Sequence, residues 1–180
     1  MILPHHGKLP VIDPSCFIAP SSDIIGEVTV GAESSVWFQV VIRGDVHTID
    51  IGKRTNIQDH SCLHVTRVKS PLKVGDDVTV GHRVTLHGCT LEDRILVGMG
   101  AVLLDDCHIE SDCIVGAGSL VTKGFRAPKG TLIMGSPAKV VRPLKPEELS
   151  FLTQSALNYV SDSREYLSIM AKHALSQSTL

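Results

Sequence analysis

The sequence is poor in the features that mark several common classes of protein. Only 4% of its 180 residues are aromatic, and its formal net charge of −2 comes from interspersed acids and bases. It therefore lacks the basic stripe that binds nucleic acid and the polybasic segment that binds membranes. No stretch approaches the roughly 20 apolar residues of a membrane span, and the first residues do not form a secretory signal, so we predict a cytoplasmic protein. The five cysteines include no CxxC pair, which favours buried packing thiols over disulfides or a cysteine zinc knuckle.

What the chain does contain is an aliphatic residue at every sixth position, with short breaks. Neither a 3.6-residue helix nor an alternating strand produces such a repeat. Short β-branched strands that turn every six residues do, because they stack their aliphatic side chains inside a solenoid. The repeat consists of Ile12, Ile18, Ile24, Val30, Val36, Ile42, Ile51, Ile57, Leu63, Val74, Val80, Leu86, Leu91, Val97, Leu103, Ile109, Val115, Val121 and Ile133.

Every break in the repeat follows a third hexad, after Ile42, Leu63 and Leu86. This spacing indicates a triangular prism with its irregular loops at one corner, and it resembles the hexapeptide-repeat left-handed β-helix. We predict an all-β solenoid over residues 1–145, a left-handed parallel β-helix of about six to seven triangular coils. Pro146 and the acidic residues after it predict a C-terminal α-helix, so that residues 146–180 pack on the prism.

The repeat fixes the positions of three of the nine histidines on the faces of the prism. His64 and His87 both occupy the second place of a third-face hexad, one coil apart, and strands roughly 4.7–4.9 Å apart let two such imidazoles bind one zinc ion. His82 lies on the preceding face, about 16 Å along the extended chain from His87, so a second subunit could supply it instead. A contact between unlike faces must close into a ring, and three subunits are the natural match for a triangular prism, so we predict a homotrimer. Three unconnected surface histidines are the alternative.

Other polar residues fall on the same two faces. Arg43 precedes His64 by one coil, and Asp45 follows Arg43 by two residues. Gln58 and Asp59 lie on the middle face. A carboxylate can orient a metal ligand, and an arginine can hold that carboxylate or a small anion. Alternatively, Arg43 and Asp45 only join subunits.

Longer stretches resemble the γ-class carbonic anhydrase-like family, and the likeness covers nearly the whole chain. These stretches are VVIRGDVH (40–47), RTNIQDHSCLHVT (54–66), VGDDVTVGHRVTLHGCTL (74–91), VGMGAVLLD (97–105), GSPAKVVRPL (135–144) and ALNYVSDSREYL (156–167). The resemblance implies a metal between the subunits of a trimer, held by two histidines of one chain and one of the next. The matching residues are His64, His87 and His82, surrounded by Arg43, Asp45, Asn56, Gln58 and Asp59.

The implied activity is the hydration of carbon dioxide to bicarbonate. Three imidazoles leave a fourth zinc position for water, whose pKa the metal lowers toward about 7, so that a metal-bound hydroxide can attack carbon dioxide. Gln58 and Asn56 would orient the reactants, Asp59 and Arg43 would hold the network, and Tyr159 of the helix would border the substrate. Imidazole ligands also accept iron or cobalt.

One segment departs from the family pattern. The family carries acidic residues after the first zinc histidine, where this chain reads VTRVKSPLK (65–73), which is basic and contains no glutamate. Two other functions therefore stay open: a trimeric metal-binding or scaffold protein with little anhydrase activity, and a hexapeptide-repeat acyltransferase or thioesterase.

Overall fold

The computed structural model describes residues 1–177 and confirms the predicted fold class, a left-handed parallel β-helix of about seven turns with one C-terminal helix. Its elements are β1 (Ile2–Leu3), β2 (Val11–Ile12), β3 (Phe17–Ile18), β4 (Asp23–Val30), β5 (Ser35–Val36), β6 (Val41–Ile51), β7 (Asn56–Ile57), β8 (Cys62–His64), β9 (Leu72–Val74), β10 (Thr79–Val80), β11 (Thr85–His87), β12 (Thr90–Leu91), β13 (Leu96–Val97), β14 (Val102–Leu103), β15 (His108–Ile109), β16 (Ile114–Val115), β17 (Leu120–Val121), β18 (Arg126–Ala127), β19 (Thr131–Gly135), β20 (Ala138–Pro143) and α1 (Pro146–Gln177).

The strands form two sheets that cover the three faces of the prism. The larger sheet has the order β17-β14-β11-β8-β6-β9-β12-β15-β18 and covers two faces, because β4 and β6 run through the corner between them. The other sheet, β20-β19-β16-β13-β10-β7-β5-β3, forms the middle face. Neighbouring strands are parallel and one coil apart except at the end, where β19 and β20 pair antiparallel.

The core is the stack of aliphatic residues that the repeat predicts. From Ile24 to Ile133, every residue of the repeat is at most 3% exposed. Removing that much apolar surface from water is the main force that closes each coil onto the next. Four of the five free cysteines are buried, as expected of packing thiols, but Cys62 is exposed because its place in the hexad points outward.

Each corner of the triangle includes residues in the left-handed backbone region, which non-glycine residues seldom adopt. Paired charges add to one of these corners: Arg54 donates to Asp77 at 2.6 and 2.8 Å, and Arg94 donates to Asp112 at 2.6 and 3.2 Å. The left-handed residues of this corner are Glu33, Arg54, Asp77, Arg94 and Asp112, and those of the second corner include Gln39, His60 and Arg83.

Helix α1 begins at Pro146, as predicted, and lies on the middle face. It packs against β3, β5, β7 and β10 and buries Leu152, Ala156 and Val160. Leu149 and Leu167 belong to the same apolar pattern but are exposed, because the face of the helix that contacts the prism is narrower than the apolar pattern of the sequence suggests. The last three residues of the expected 146–180 segment lie outside the described residues. No helix within residues 1–177 is long and apolar enough to span a membrane.

Candidate metal centre

A pair of imidazoles lies side by side on the third face. His64 ends β8 and His87 ends β11, and the two residues are direct partners in the parallel register. The His64 Nδ1 atom is 3.1 Å from the His87 Nε2 atom. Two ligands of a tetrahedral zinc ion, each bound at 2.0–2.1 Å, lie about 3.3 Å apart. The spacing of the two nitrogen atoms therefore fits two corners of a zinc site.

Each ring of the pair is held at its other nitrogen by a carboxylate. Asp45 Oδ1 lies 3.1 Å from His64 Nε2, and Asp105 Oδ1 lies 2.8 Å from His87 Nδ1. An ionised carboxylate only accepts hydrogen bonds, so in a neutral ring the proton sits on this outer nitrogen. Both facing nitrogens then present lone pairs, which repel each other unless a cation or a proton lies between them. The donor set thus fits a divalent metal with oriented histidine ligands.

Charge and burial favour the forms of Asp45 and His64 that such a site needs. Burial lowers the pKa of His64, and the nearby positive charge of Arg43 lowers it further, against the opposing effect of Asp45. Burial alone would raise the pKa of Asp45, but the hydrogen bonds from Arg43 and His64 outweigh it and lower that pKa. His64 is therefore held neutral, the form that binds metals, beside an ionised Asp45.

His82 lies on the middle face, in a separate cluster. Its Nδ1 atom is 2.9 Å from Asp59 Oδ2, and its side chain is 43% exposed, against 21% for His64 and 31% for His87. His82, Asp59 and Tyr159 line an open cavity of about 330 Å³ between the prism and α1. Within residues 1–177 of one chain, no three His, Cys, Asp or Glu side chains form a group that could hold a metal. A single chain therefore does not bring His82 to the other two histidines.

A buried amide pair adjoins this cavity. Gln58 Nε2 donates to Asn56 Oδ1 at 3.1 Å, and Asn56 Nδ2 donates to Thr79 Oγ1 at 3.0 Å. Gln58 and Tyr159 line a second groove of about 260 Å³ beside α1. The predicted site residues thus fall into two groups on one chain. Arg43, Asp45, His64 and His87 lie on the third face, and Asn56, Gln58, Asp59, His82 and Tyr159 lie on or beside the middle face.

Asp105 is the functional candidate that the sequence reasoning missed. It follows His87 by 18 residues and lies two residues after β14, on the coil that pairs with β11, where its Oδ1 atom is 2.8 Å from His87 Nδ1. The signal that could have found it is the coil register, applied to carboxylates as well as to histidines.

Comparisons with known proteins first define the class. A family model described as the hexapeptide repeat of succinyl-transferase matches residues 71–105. A solved structure from Bacillus cereus, whose name suggests an acetyltransferase, superposes with a TM-score of 0.92 at 45% identity over 94% of this chain and 98% of its own. The chain is therefore a hexapeptide-repeat β-helix protein.

Curated relatives then define the family. The carbonic anhydrase of Geobacillus kaustophilus is 44% identical over 92% of this chain and 91% of its own length. Gamma carbonic anhydrases 1 and 2, mitochondrial, of Arabidopsis thaliana are 44% and 46% identical, and the chain spans 62% and 57% of their lengths. This chain belongs to the γ-class carbonic anhydrase family.

Proposed function

We propose that this chain is a metal-dependent carbonic anhydrase, a lyase that interconverts carbon dioxide and bicarbonate at the interfaces of a homotrimer. Family membership supports the reaction class. The observation that carries the proposal is the pair of facing nitrogens of His64 and His87, 3.1 Å apart and each backed by a carboxylate. Such an arrangement is costly in a protein unless a metal ion or a proton lies between the two nitrogens, and a metal ion suits the carboxylate behind each ring.

In this proposal zinc is held by His64 and His87 of one chain and by His82 of a neighbour. His82 is the most exposed of the three and lies on a different face, so it is available to a second chain but remote from the pair in its own. When bound, the ion supplies a Lewis acid that makes hydroxide available from water near neutral pH. Iron or cobalt would suit the same three imidazoles.

The remaining polar residues would bind and orient the reactants. Gln58 uses one amide N–H on Asn56 and, among the described residues, makes no other side-chain hydrogen bond, so its carbonyl oxygen can accept from a ligand in the groove. Asn56 is anchored through Thr79 to Ser155 of α1, which keeps the pair rigid. Asp59 would orient His82 through their 2.9 Å contact. Arg43 would hold Asp45, and Tyr159 would border the reactants.

An acyltransferase or thioesterase is the second candidate. Similar solved structures carry transferase names, among them the Bacillus cereus protein and a hexapeptide transferase family protein from Anaplasma phagocytophilum, which is 39% identical with a TM-score of 0.87. Such a transferase gives no reason for two imidazoles to face each other with carboxylates behind them. A trimeric scaffold with a structural metal is a third candidate.

The deciding experiment measures metal content and carbon dioxide hydration together. The wild type should carry about one zinc per chain and hydrate carbon dioxide. The variant His82→Ala should lose most of both, because it removes one of three ligands. His108→Ala is the matched control, since His108 is paired with Glu92 at 2.9 Å, away from the proposed site. It should keep wild-type zinc and activity.

Each contrary result selects another function. Zinc near one per chain without hydration would reject the anhydrase and favour a scaffold. A metal-free protein that transfers or hydrolyses acyl groups would favour the acyltransferase or thioesterase.

A further inference from the structure

We propose that Asp105 is a positioning residue that sets the orientation and tautomer of His87 and links this ligand to the loop of residues 66–70. The proposal rests on the proposed function only where it names zinc. It adds a residue and a loop to the site that neither the histidine spacing nor the family pattern assigns.

The two oxygens of Asp105 bind different partners. Oδ1 accepts from His87 Nδ1 at 2.8 Å, and Oδ2 accepts from Thr66 Oγ1 at 3.0 Å. A carboxylate fixed at both oxygens cannot rotate without losing a hydrogen bond. Asp105 is also three-quarters shielded from solvent, which strengthens both contacts. It therefore provides a rigid acceptor for one chosen nitrogen of His87.

Asp105 is the counterpart of Asp45 on the opposite side of the histidine pair. Asp45 reaches His64 from the preceding coil, and Asp105 reaches His87 from the following coil. Without Asp105, the His87 ring could carry its proton on Nε2, the nitrogen that faces His64. That tautomer would place an N–H where the metal needs a lone pair. The two carboxylates together keep both facing nitrogens available.

The backbone beside His87 is shaped to admit this carboxylate. Gly88 has a φ of +54°, and a Cβ atom built on it would lie 2.2 Å from Asp105 Oδ1 and 2.7 Å from the Cβ of Ser70. The Gly88 carbonyl also accepts from the Asp106 backbone N–H at 2.8 Å. A residue without a side chain is therefore required at the point where Asp105 approaches.

The next residue provides a matched control. Asp106 accepts from Ser70 Oγ at 2.7 Å and pairs with Lys123 at 3.5 Å. It therefore binds the same loop as Asp105, but its carboxylate contacts Ser70 and Lys123 instead of His87. A general weakening of the loop would appear in an Asp106 variant, whereas loss of His87 positioning would not.

The test measures zinc affinity of the metal-free protein by competition with a chromophoric chelator. Asp105→Ala should weaken zinc binding about 10–100-fold, the usual cost of losing a carboxylate behind a histidine ligand. Asp106→Ala should stay within about twofold of the wild type. Thr66→Val should fall between them, and Thr66→Ser, which keeps the hydroxyl, should match the wild type.

A second readout follows the His87 tautomer by nitrogen-15 NMR of the metal-free protein. The wild type should show His87 protonated at Nδ1, and Asp105→Ala should shift it toward Nε2. Should the alanine variant fail to fold, the similarly sized Asp105→Leu, which has no hydrogen-bond acceptor, replaces it in both measurements. Unchanged affinity and an unchanged tautomer, or an equal loss in Asp106→Ala, would overturn the proposal. A wild type that binds no zinc would reject the proposed function instead, while the tautomer still tests Asp105.

Discussion

At the residue scale, the candidate site depends on a few contacts that the β-helix makes reproducible. One coil separates His64 from His87, and one coil separates each ring from the carboxylate behind it. Ladder spacing thus sets the distance between the two proposed ligands, and burial together with the charge of Arg43 lowers the pKa of His64 and so favours its neutral form. The fold itself supplies the preorganisation that metal binding requires.

Gly88 allows a direct test of this crowding. Gly88→Ala should destabilise the fold by at least about 2 kcal/mol, because left-handed strain is joined by a clash with Asp105 and Ser70. Gly118→Ala is the control, since Gly118 has a φ of +67° with nothing within 4 Å of the added Cβ. It should cost about 1 kcal/mol. Urea unfolding measures both, and equal losses would show that Asp105 does not crowd Gly88.

The histidine pair could be predicted from the sequence, but its carboxylates only in part. His64 and His87 can be predicted as a pair because two residues at the same place of the hexad, one coil apart, must lie side by side. Asp45 was noticed because it follows Arg43. The coil register places Asp105 in the neighbourhood of His87, but their contact also depends on the missing side chain of Gly88 and on a rotamer, which a repeat does not encode.

At the element scale, the middle face and helix α1 act together. Ser155 of the helix shares a 3.0 Å hydrogen bond with Thr79 of β10, and Thr79 holds Asn56 of β7. The first turn of the helix is fixed by Arg142, which donates twice to Glu148 at 2.7 Å. Helix docking is thereby linked to the amide pair beside the candidate site.

The Arg142–Glu148 pair predicts a pH dependence of stability. The hydrogen bonds from Arg142 lower the pKa of Glu148 to about 2, below its usual value near 4.5. A lowered carboxyl pKa stabilises the folded state above the unfolded pKa, and that contribution is lost as the pH falls through about 2. The stability gap between wild type and Glu148→Gln should therefore be constant above that usual value and shrink toward pH 2. Glu147→Gln is the control, and a gap that does not vary with pH would contradict the account.

The hexad repeat predicted most of the strands but not the two that depart from the repeat, β6 and β20. Aliphatic residues at every sixth place must face inward, so the strands and coils follow from the sequence. The long strand β6 was not foreseen, because the residues inserted between Ile42 and Ile51 continue the ladder through the corner. The antiparallel strand β20 was also missed, since it ends the solenoid and is outside the repeat.

At the scale of the whole molecule, a single chain presents surfaces that suit assembly. Met99 and Phe151 are 57% and 52% exposed and border the groove that contains Gln58 and Tyr159. Exposed apolar side chains near a half-buried His82 are typical of a surface covered by another protein chain. A homotrimer that joins the middle face to the third face of a neighbour would cover these apolar side chains and His82.

Mixing two defective variants tests the shared site most directly. His82→Ala keeps the histidine pair, and His64→Ala keeps His82, so each homotrimer should bind little zinc. If the chains are unfolded together and refolded as mixed trimers, about a quarter of the interfaces combine an intact pair with an intact His82. We expect zinc binding and carbon dioxide hydration to return to about a quarter of the wild-type values. Zinc bound fully by His82→Ala alone, or no recovery in mixed trimers, would contradict a metal shared between chains.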